Sequence, residues 1–126
     1  MTTAASTGME TRARGIGLIR WLLVINLGLV ALQAVSAGFF LSGYRYAVTV
    51  HAIVADALQV GAVIQAVSAV VLWRRRRIPA WVARLSAGLF VIVFLQVAFG
   101  HQQRHWLHVP IGVGLFGGLL RQANRL

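Results

Sequence analysis

The chain has 126 residues, of which 59% are apolar and only 11% charged, whereas an ordinary soluble domain carries about 25% charged residues. This composition excludes a soluble globular domain. The net charge of +10 comes from twelve basic residues against two acidic ones. The arginines lie between apolar runs, so we expect them to mark membrane topology rather than a nucleic-acid surface. The chain has no cysteine, which excludes disulfides and thiolate metal sites.

Four apolar runs follow a small, polar N-terminal segment, and each run predicts a membrane-spanning helix. Lipid permits only helices or closed barrels to span it, and the period of two that is typical of strands is absent. Short connections make neighbouring helices antiparallel. The predicted fold is an all-α integral membrane protein, a bundle of four transmembrane helices in up-down-up-down order. Its predicted parts are a flexible cytoplasmic segment at 1–15, helices at 16–41, 47–73, 78–100 and 106–120, and a cytoplasmic tail at 121–126.

Arginines are concentrated at alternate connections. The N-terminal segment, the second connection with its run at 74–77 and the C-terminal tail are basic, whereas the first and third connections carry only Arg45 and Arg104. Because basic loops stay in the cytoplasm, we expect both termini in the cytoplasm of a multi-pass protein of a bacterial inner membrane. Its expected surroundings are the lipid bilayer, with no nucleic-acid partner.

Two histidines stand near the outer ends of alternate helices. His51 lies about one turn into the second helix and His108 near the start of the fourth, and these helices run in the same direction. The second and fourth helices of such a bundle are diagonal, so we expect the two imidazoles to face each other at one depth. A haem iron takes axial nitrogens from opposite faces. The sequence therefore predicts one b-type haem (heme b), with His51 and His108 as the axial ligands of its iron.

Four other residues are candidate parts of this haem site. Ala55 and Gly112 each follow a histidine by four positions, which places a small side chain on the same helix face and leaves room for a flat ring. Arg45 and Arg104 lie in the outer connections and are expected partners of the anionic haem propionates.

The two halves of the chain repeat one arrangement of residues. Each predicted hairpin carries a Leu-Gln pair and a glycine in its first helix and a histidine early in its second helix. This repetition predicts a pseudo-twofold bundle in which each hairpin supplies one iron ligand and one glutamine that lines the pocket. The corresponding residues are Leu32, Gln33, Gly38 and His51 in the first hairpin, and Leu95, Gln96, Gly100 and His108 in the second.

These motifs resemble those of a known family. Over about residues 16–120, the chain is similar to one four-helix half of the heme A synthase family. The likeness lies in the first-hairpin pattern with His51 and Ala55, followed by LQVAFG at 95–100 and LHVPIG at 107–112. The resemblance implies haem ligation by both histidines and a role in haem handling or redox chemistry at the outer leaflet. It also implies a partner in the membrane, either a second copy that replaces the family's other half or a redox or haem-handling protein.

One feature of that family is missing. The family's catalytic half has an acidic residue shortly before its first histidine, whereas the run VTVHA at 48–52 has none. The resemblance therefore implies haem binding and leaves open whether the chain, like heme A synthase, oxidises a haem methyl group.

Two alternatives remain for the same histidines. The chain could be a small membrane subunit or scaffold that binds no cofactor. His101 and His105, together with His108 and His51, could instead form a zinc or copper site at the outer face. Without a metal, His101 and His105 are expected to be interfacial residues of the outer connection.

Asp56 is the one acidic residue within a predicted span. A lone carboxylate in lipid must be protonated or paired, because burial of its charge is costly. We expect it to hydrogen-bond Ser36, Gln33 or Gln96, with a role in proton relay as the alternative.

Overall fold

The fold is a ring of four antiparallel helices. The computed structural model describes residues 3–126, with side chains from residue 7 onward. The helices are α1 (Thr3–Leu41), α2 (Ala47–Arg74), α3 (Ala80–His101) and α4 (His105–Arg125). Both α1 and α3 pack against α2 and α4, so that α1 lies diagonal to α3 and α2 to α4. The expected all-helical bundle is confirmed, and both ends of the described chain lie at the same end of it.

Three of the helices are long and apolar enough to cross a membrane: Thr7–Leu41 within α1, Ala47–Arg74 and Ala80–His101. The fourth, α4, is not among them. Its 21 residues begin with two histidines in the first turn and end with polar residues and arginines, which leaves a shorter apolar stretch between. A fourth membrane-spanning helix therefore stays a prediction.

Most of the segment at 1–15, which the sequence analysis predicted to be flexible, is helical in the part that the structure describes. Helix α1 begins at Thr3 and is continuous to Leu41. A helix that already exists in the span is extended cheaply, because the costly nucleation step is over. No proline interrupts the segment, and Arg14 pairs with Glu10 one turn earlier at 2.5 Å. The expected tail at 121–126 is likewise helical as far as Arg125, and residues 1–2 lie outside the described residues.

Each of the three inter-helix turns begins with the same backbone motif. Gly43, Arg76 and Gln103 have positive φ angles of 97°, 56° and 54°. At each, two backbone N–H groups bond back to carbonyls of the last helical turn, as in Arg76 N to Trp73 O at 2.8 Å and Arg77 N to Leu72 O at 2.9 Å. This is the Schellman motif, in which the left-handed residue ends the helix and satisfies its free carbonyls. The resulting turns are short and hold neighbouring helices antiparallel.

The bundle is apolar outside and partly polar inside. Large side chains such as Trp21 (70% exposed) and Val67 (58% exposed) point outward, which suits a helix surrounded by lipid. A layer of four buried polar side chains, one from each helix, crosses the interior. We call it the inner polar layer, and it consists of Asn26, Gln65, Ser86 and Gln122.

Gln65 is the centre of the inner polar layer. Its Oε1 accepts a hydrogen bond from Asn26 Nδ2 at 2.8 Å, and its Nε2 donates to Ser86 Oγ and to Gln122 Oε1, each at 3.3 Å. Gln122 Nε2 in turn donates to Ser86 Oγ at 2.9 Å. The layer therefore links all four helices at one level and disfavours other helix registers.

Replacing the central amide of this layer is expected to destabilise the bundle. Gln65→Leu leaves Asn26 Nδ2 and Gln122 Oε1 without their buried partner, and should lower the free energy of unfolding by about 1 to 2 kcal/mol. The measurement is unfolding of the purified protein in mixed micelles by titration with a denaturing detergent. Gln59→Leu, the same change at a half-buried position of α2 outside the layer, is the matched control and should stay within about 0.5 kcal/mol of the wild type. Equal stability of the two variants would contradict a stabilising role for the layer.

Candidate functional site

The two histidines of interest meet across the diagonal of the bundle. His51 lies in the second turn of α2 and His108 in the first turn of α4. Their ring centroids are 6.1 Å apart, and the ring planes make an angle of 58°. Although α2 and α4 do not pack directly on each other, their side chains bring two imidazoles together at one level, as the helix directions led us to expect.

His51 is held by the helix that precedes it. Its Nδ1 lies 3.1 Å from the backbone carbonyl oxygen of Gln33 and 3.0 Å from Ser36 Oγ, both on α1. The Ser36 hydroxyl itself donates to the Gln33 carbonyl at 3.0 Å. Because a carbonyl oxygen can only accept, the Nδ1 atom carries the proton and donates it toward both oxygens.

His108 is held by the equivalent residue of the second hairpin. Its Nδ1 donates to the backbone carbonyl of Gln96 on α3 at 2.8 Å, and the Gln96 amide nitrogen donates back to the carbonyl of His108 at 2.5 Å. The ring lies against Gly100, where a Cβ would stand 3.0 Å from Cε1 and 3.1 Å from Nδ1 of His108. Only a glycine at this position lets the imidazole lie so close to α3 without displacement.

Both rings therefore use the same nitrogen, Nδ1, for their hydrogen bonds. With Nδ1–H bonded to a carbonyl, each neutral imidazole has its lone pair on Nε2. Among the described residues, neither Nε2 atom has a hydrogen-bond partner. Two oriented imidazoles with free Nε2 lone pairs are an arrangement suited to binding one metal centre from opposite sides.

The two hairpins are built alike around these rings. In each, a glutamine carbonyl of the first helix accepts the Nδ1–H of a histidine on the second helix. The side-chain Oε1 atoms of Gln33 and Gln96 are both buried without a partner. The pseudo-twofold repetition inferred from the Leu-Gln and histidine motifs thus extends to the hydrogen bonds.

The remaining predicted pocket residues are placed as follows. Arg45 and Arg104 are exposed in the connections at the histidine end of the bundle, and Ala55 is half-buried on α2. The surface of Gly112 is not open space, because a Cβ there would lie 2.8 Å from Gln96 Nε2. Gly112 therefore makes room for the glutamine amide that bonds to the His108 carbonyl. This corrects the prediction that Gly112 leaves room for a flat ring.

His101 and His105 do not join the pair. Both are exposed, and His101 Nδ1 bonds to the carbonyl of Val97 in its own helix at 3.0 Å. No group of three histidine or acidic side chains able to hold a metal ion exists in the part of the chain that the structure describes. The alternative of a zinc or copper site formed by all four histidines is not supported, because the turn at 102–104 leaves His101 and His105 on the outside.

The expectation for Asp56 is wrong. Its side chain is exposed on α2, and it makes none of the hydrogen bonds expected with Ser36, Gln33 or Gln96. Five residues separate it from His51, which is a rotation of about 140° around the helix axis beyond one full turn. Since His51 faces the interior, Asp56 faces away from it.

Two residues that hold the histidines had no such role in the sequence analysis. Ser36 was considered only as a partner of Asp56, and Gly100 only as part of the repeated motif. Helix periodicity could have identified both residues. Ser36 lies three residues after Gln33, and Gly100 lies four residues after Gln96. Each therefore shares a helix face with the glutamine whose carbonyl bonds to the histidine ring.

Comparison of the chain with protein-family models, with curated proteins and with solved structures found no match. The resemblance to heme A synthase therefore rests on the motifs alone.

The tautomers of the two rings can be tested directly. We expect Nδ1 of His51 and of His108 to carry a proton, because each Nδ1 donates to a backbone carbonyl. Nitrogen-15 NMR of the histidine-labelled, metal-free protein in detergent micelles would give a protonated-type shift for Nδ1 and an unprotonated-type shift for Nε2. Exposed His105 is the internal control and should show the tautomer mixture of a free side chain. A dominant Nε2–H form at either position would contradict the hydrogen bonds described above.

Proposed function

We propose that this chain is a membrane protein that binds one b-type haem, with the Nε2 atoms of His51 and His108 as its two axial ligands. With both termini in the cytoplasm, the haem would lie near the outer leaflet. The protein would serve in haem handling or in electron transfer at that face.

The distance between the two rings is the observation that carries the proposal. A metal–imidazole bond is about 2 Å long and each nitrogen lies about 1 Å from its ring centre, so two imidazoles on opposite sides of one metal have ring centres about 6 Å apart. The observed separation is 6.1 Å. This agreement in spacing supports the proposal that both rings bind one metal centre.

The hydrogen bonds at Nδ1 support the same proposal. Metal-ligating histidines almost always donate their other ring N–H to a carbonyl, carboxylate or water, which fixes the ring and makes the coordinating nitrogen more basic. The carbonyls of Gln33 and Gln96 do this for His51 and His108.

The ligand set determines the kind of chemistry. A bound haem would supply a reversible one-electron iron couple, and ligation by two protein side chains favours electron transfer or haem storage over oxygen binding. His51 and His108 would hold the group. Arg45 and Arg104, at the same end of the bundle, remain the proposed partners of the propionates.

The test is the absorption spectrum of the protein purified from haem-supplied membranes. The wild type should be red, with a sharp Soret band and the pyridine haemochrome of a b-type haem. His51→Ala and His108→Ala should each lose the low-spin spectrum, because one axial nitrogen is removed. His101→Ala and His105→Ala are the matched controls and should keep the wild-type spectrum, since both side chains are exposed and outside the pair.

A colourless wild-type protein that remains folded and does not take up added haemin would refute haem binding and favour a membrane scaffold without a cofactor. An unchanged low-spin spectrum in either His51→Ala or His108→Ala would refute this ligand pair.

The glycine beneath His108 provides a second test. Gly100→Ala places a methyl group against the imidazole ring of His108 and should displace that ring. We expect haem affinity to fall about tenfold, which corresponds to a packing strain of about 1.4 kcal/mol. Haemin titration of the apoprotein measures the effect. Gly88→Ala on the same helix, where a Cβ meets nothing within 4 Å, is the control and should bind haemin like the wild type. Equal affinities in the two variants would contradict the positioning role of Gly100.

A further inference from the structure

A basic pocket lies at the end of the bundle opposite the histidines. It is a cavity of about 470 Å³ between the N-terminal turns of α1 and the turn that joins α2 to α3. This volume falls within the range of small-molecule sites. We call it the arginine pocket, and it is lined by Gly8, Met9, Thr11, Arg12, Arg75, Arg76 and Arg77.

The pocket has four guanidinium groups and no acidic residue in its lining. The chain has only two acidic side chains, of which Asp56 lies in the other half of α2 and Glu10 is paired with Arg14. That pair is the only ion pair among residues 7–126. The four arginines therefore line one pocket without an ion-pair partner among the described residues.

The backbone fixes the arginines in this arrangement. Arg75, Arg76 and Arg77 occupy the Schellman turn, whose N–H groups are bonded to helix carbonyls. Gly15 of α1 packs against this turn, because a Cβ on Gly15 would lie 3.5 Å from Arg77 Cβ. Arg76 occupies a left-handed position with φ of 56°, where glycine is the residue of lowest strain.

We propose that the arginine pocket binds the phosphate-bearing headgroup of an anionic phospholipid. Four guanidinium groups form charge-assisted, bidentate hydrogen bonds with phosphate oxygens, and basic pockets beside membrane helices are known places for anionic headgroups. In the proposed topology the pocket faces the cytoplasmic leaflet. The proposal concerns a site separate from the histidine pair and does not depend on haem.

Two features favour a lipid over a phosphate compound in solution. Met9, which is 72% exposed, lies in the lining beside the charges, and a site for a soluble anion gains nothing from an exposed apolar side chain. Trp73, 43% exposed, lies in the last turn of α2 immediately before the arginine run. Tryptophan marks the membrane–water interface, so the pocket lies at the level of the headgroups.

The experiment compares lipid retention in nanodiscs of phosphatidylcholine that contain a minor fraction of phosphatidylglycerol. Native mass spectrometry counts the lipids that leave with the protein. The wild type should retain phosphatidylglycerol in preference to phosphatidylcholine, and Arg75→Gln/Arg77→Gln should retain about tenfold less of it. Arg121→Gln/Arg125→Gln removes the same charge at the same end of the bundle, but outside the pocket, and should retain as much as the wild type. Arg12→Gln tests the α1 side of the pocket without altering the turn, and should reduce retention in the same direction.

Any of the following three outcomes would overturn the proposal. Equal losses in the two double variants would mean that surface charge alone attracts the lipid. Retention without preference for phosphatidylglycerol in the wild type would mean that no anionic headgroup is bound. Displacement of the lipid by an excess of inorganic phosphate would assign the pocket to a soluble phosphate ligand. Thermal unfolding of all variants in the same nanodiscs separates loss of binding from loss of fold, and Arg12→Gln replaces the turn variant if that variant unfolds.

Discussion

The structure depends on one constraint, which is that polar side chains inside an apolar bundle must find partners on other helices. The exterior offers mostly lipid-compatible side chains, so an amide or imidazole in the interior has no water to bond with at low cost. This chain meets the constraint at two levels. Near one end, carbonyls of α1 and α3 accept hydrogen bonds from His51 and His108. Nearer the other end, the inner polar layer joins all four helices. Both levels orient the helices relative to one another, and the first also orients two imidazole rings.

Much of this arrangement was predictable from the sequence. Four helices, their order and the diagonal position of α2 and α4 follow from the apolar runs and the short connections, and the meeting of His51 with His108 follows from helix direction and depth. The differences have specific causes. The segment before residue 16 is rich in small and polar residues, but from residue 3 onward it continues an existing helix, which costs less than forming a new one. Asp56 was expected to bond to Ser36, Gln33 or Gln96, although its separation of five residues from His51 places it on another helix face. The role of Gly112 depends on the conformation of the Gln96 side chain, which no residue pattern encodes.

The two ends of the bundle differ in charge. All four histidines lie toward one end, where α2 and α4 begin. The arginine run lies at the other end with the N-terminal turns of α1. Arg45 and Arg104 are the basic residues of the connections at the histidine end. By the positive-inside rule, this unequal distribution of arginines favours an orientation with the more basic end toward the cytoplasm.

The two interior levels differ in whether their side chains can bond directly to each other. Gln65 and Gln122 follow His51 and His108 by 14 residues each, or about 21 Å along their helices. A glutamine amide is both donor and acceptor, so Gln65 and Gln122 can bond directly to each other. The imidazoles cannot do the same, because each has already donated its only proton to a backbone carbonyl. Both are left with an acceptor nitrogen, and two acceptors do not attract. An electron-poor centre between them, such as the metal of the proposed haem, would satisfy both lone pairs. The hydrogen bonds that the Nδ1–H groups donate to the carbonyls of Gln33 and Gln96 thus support the proposal that both rings act as ligands.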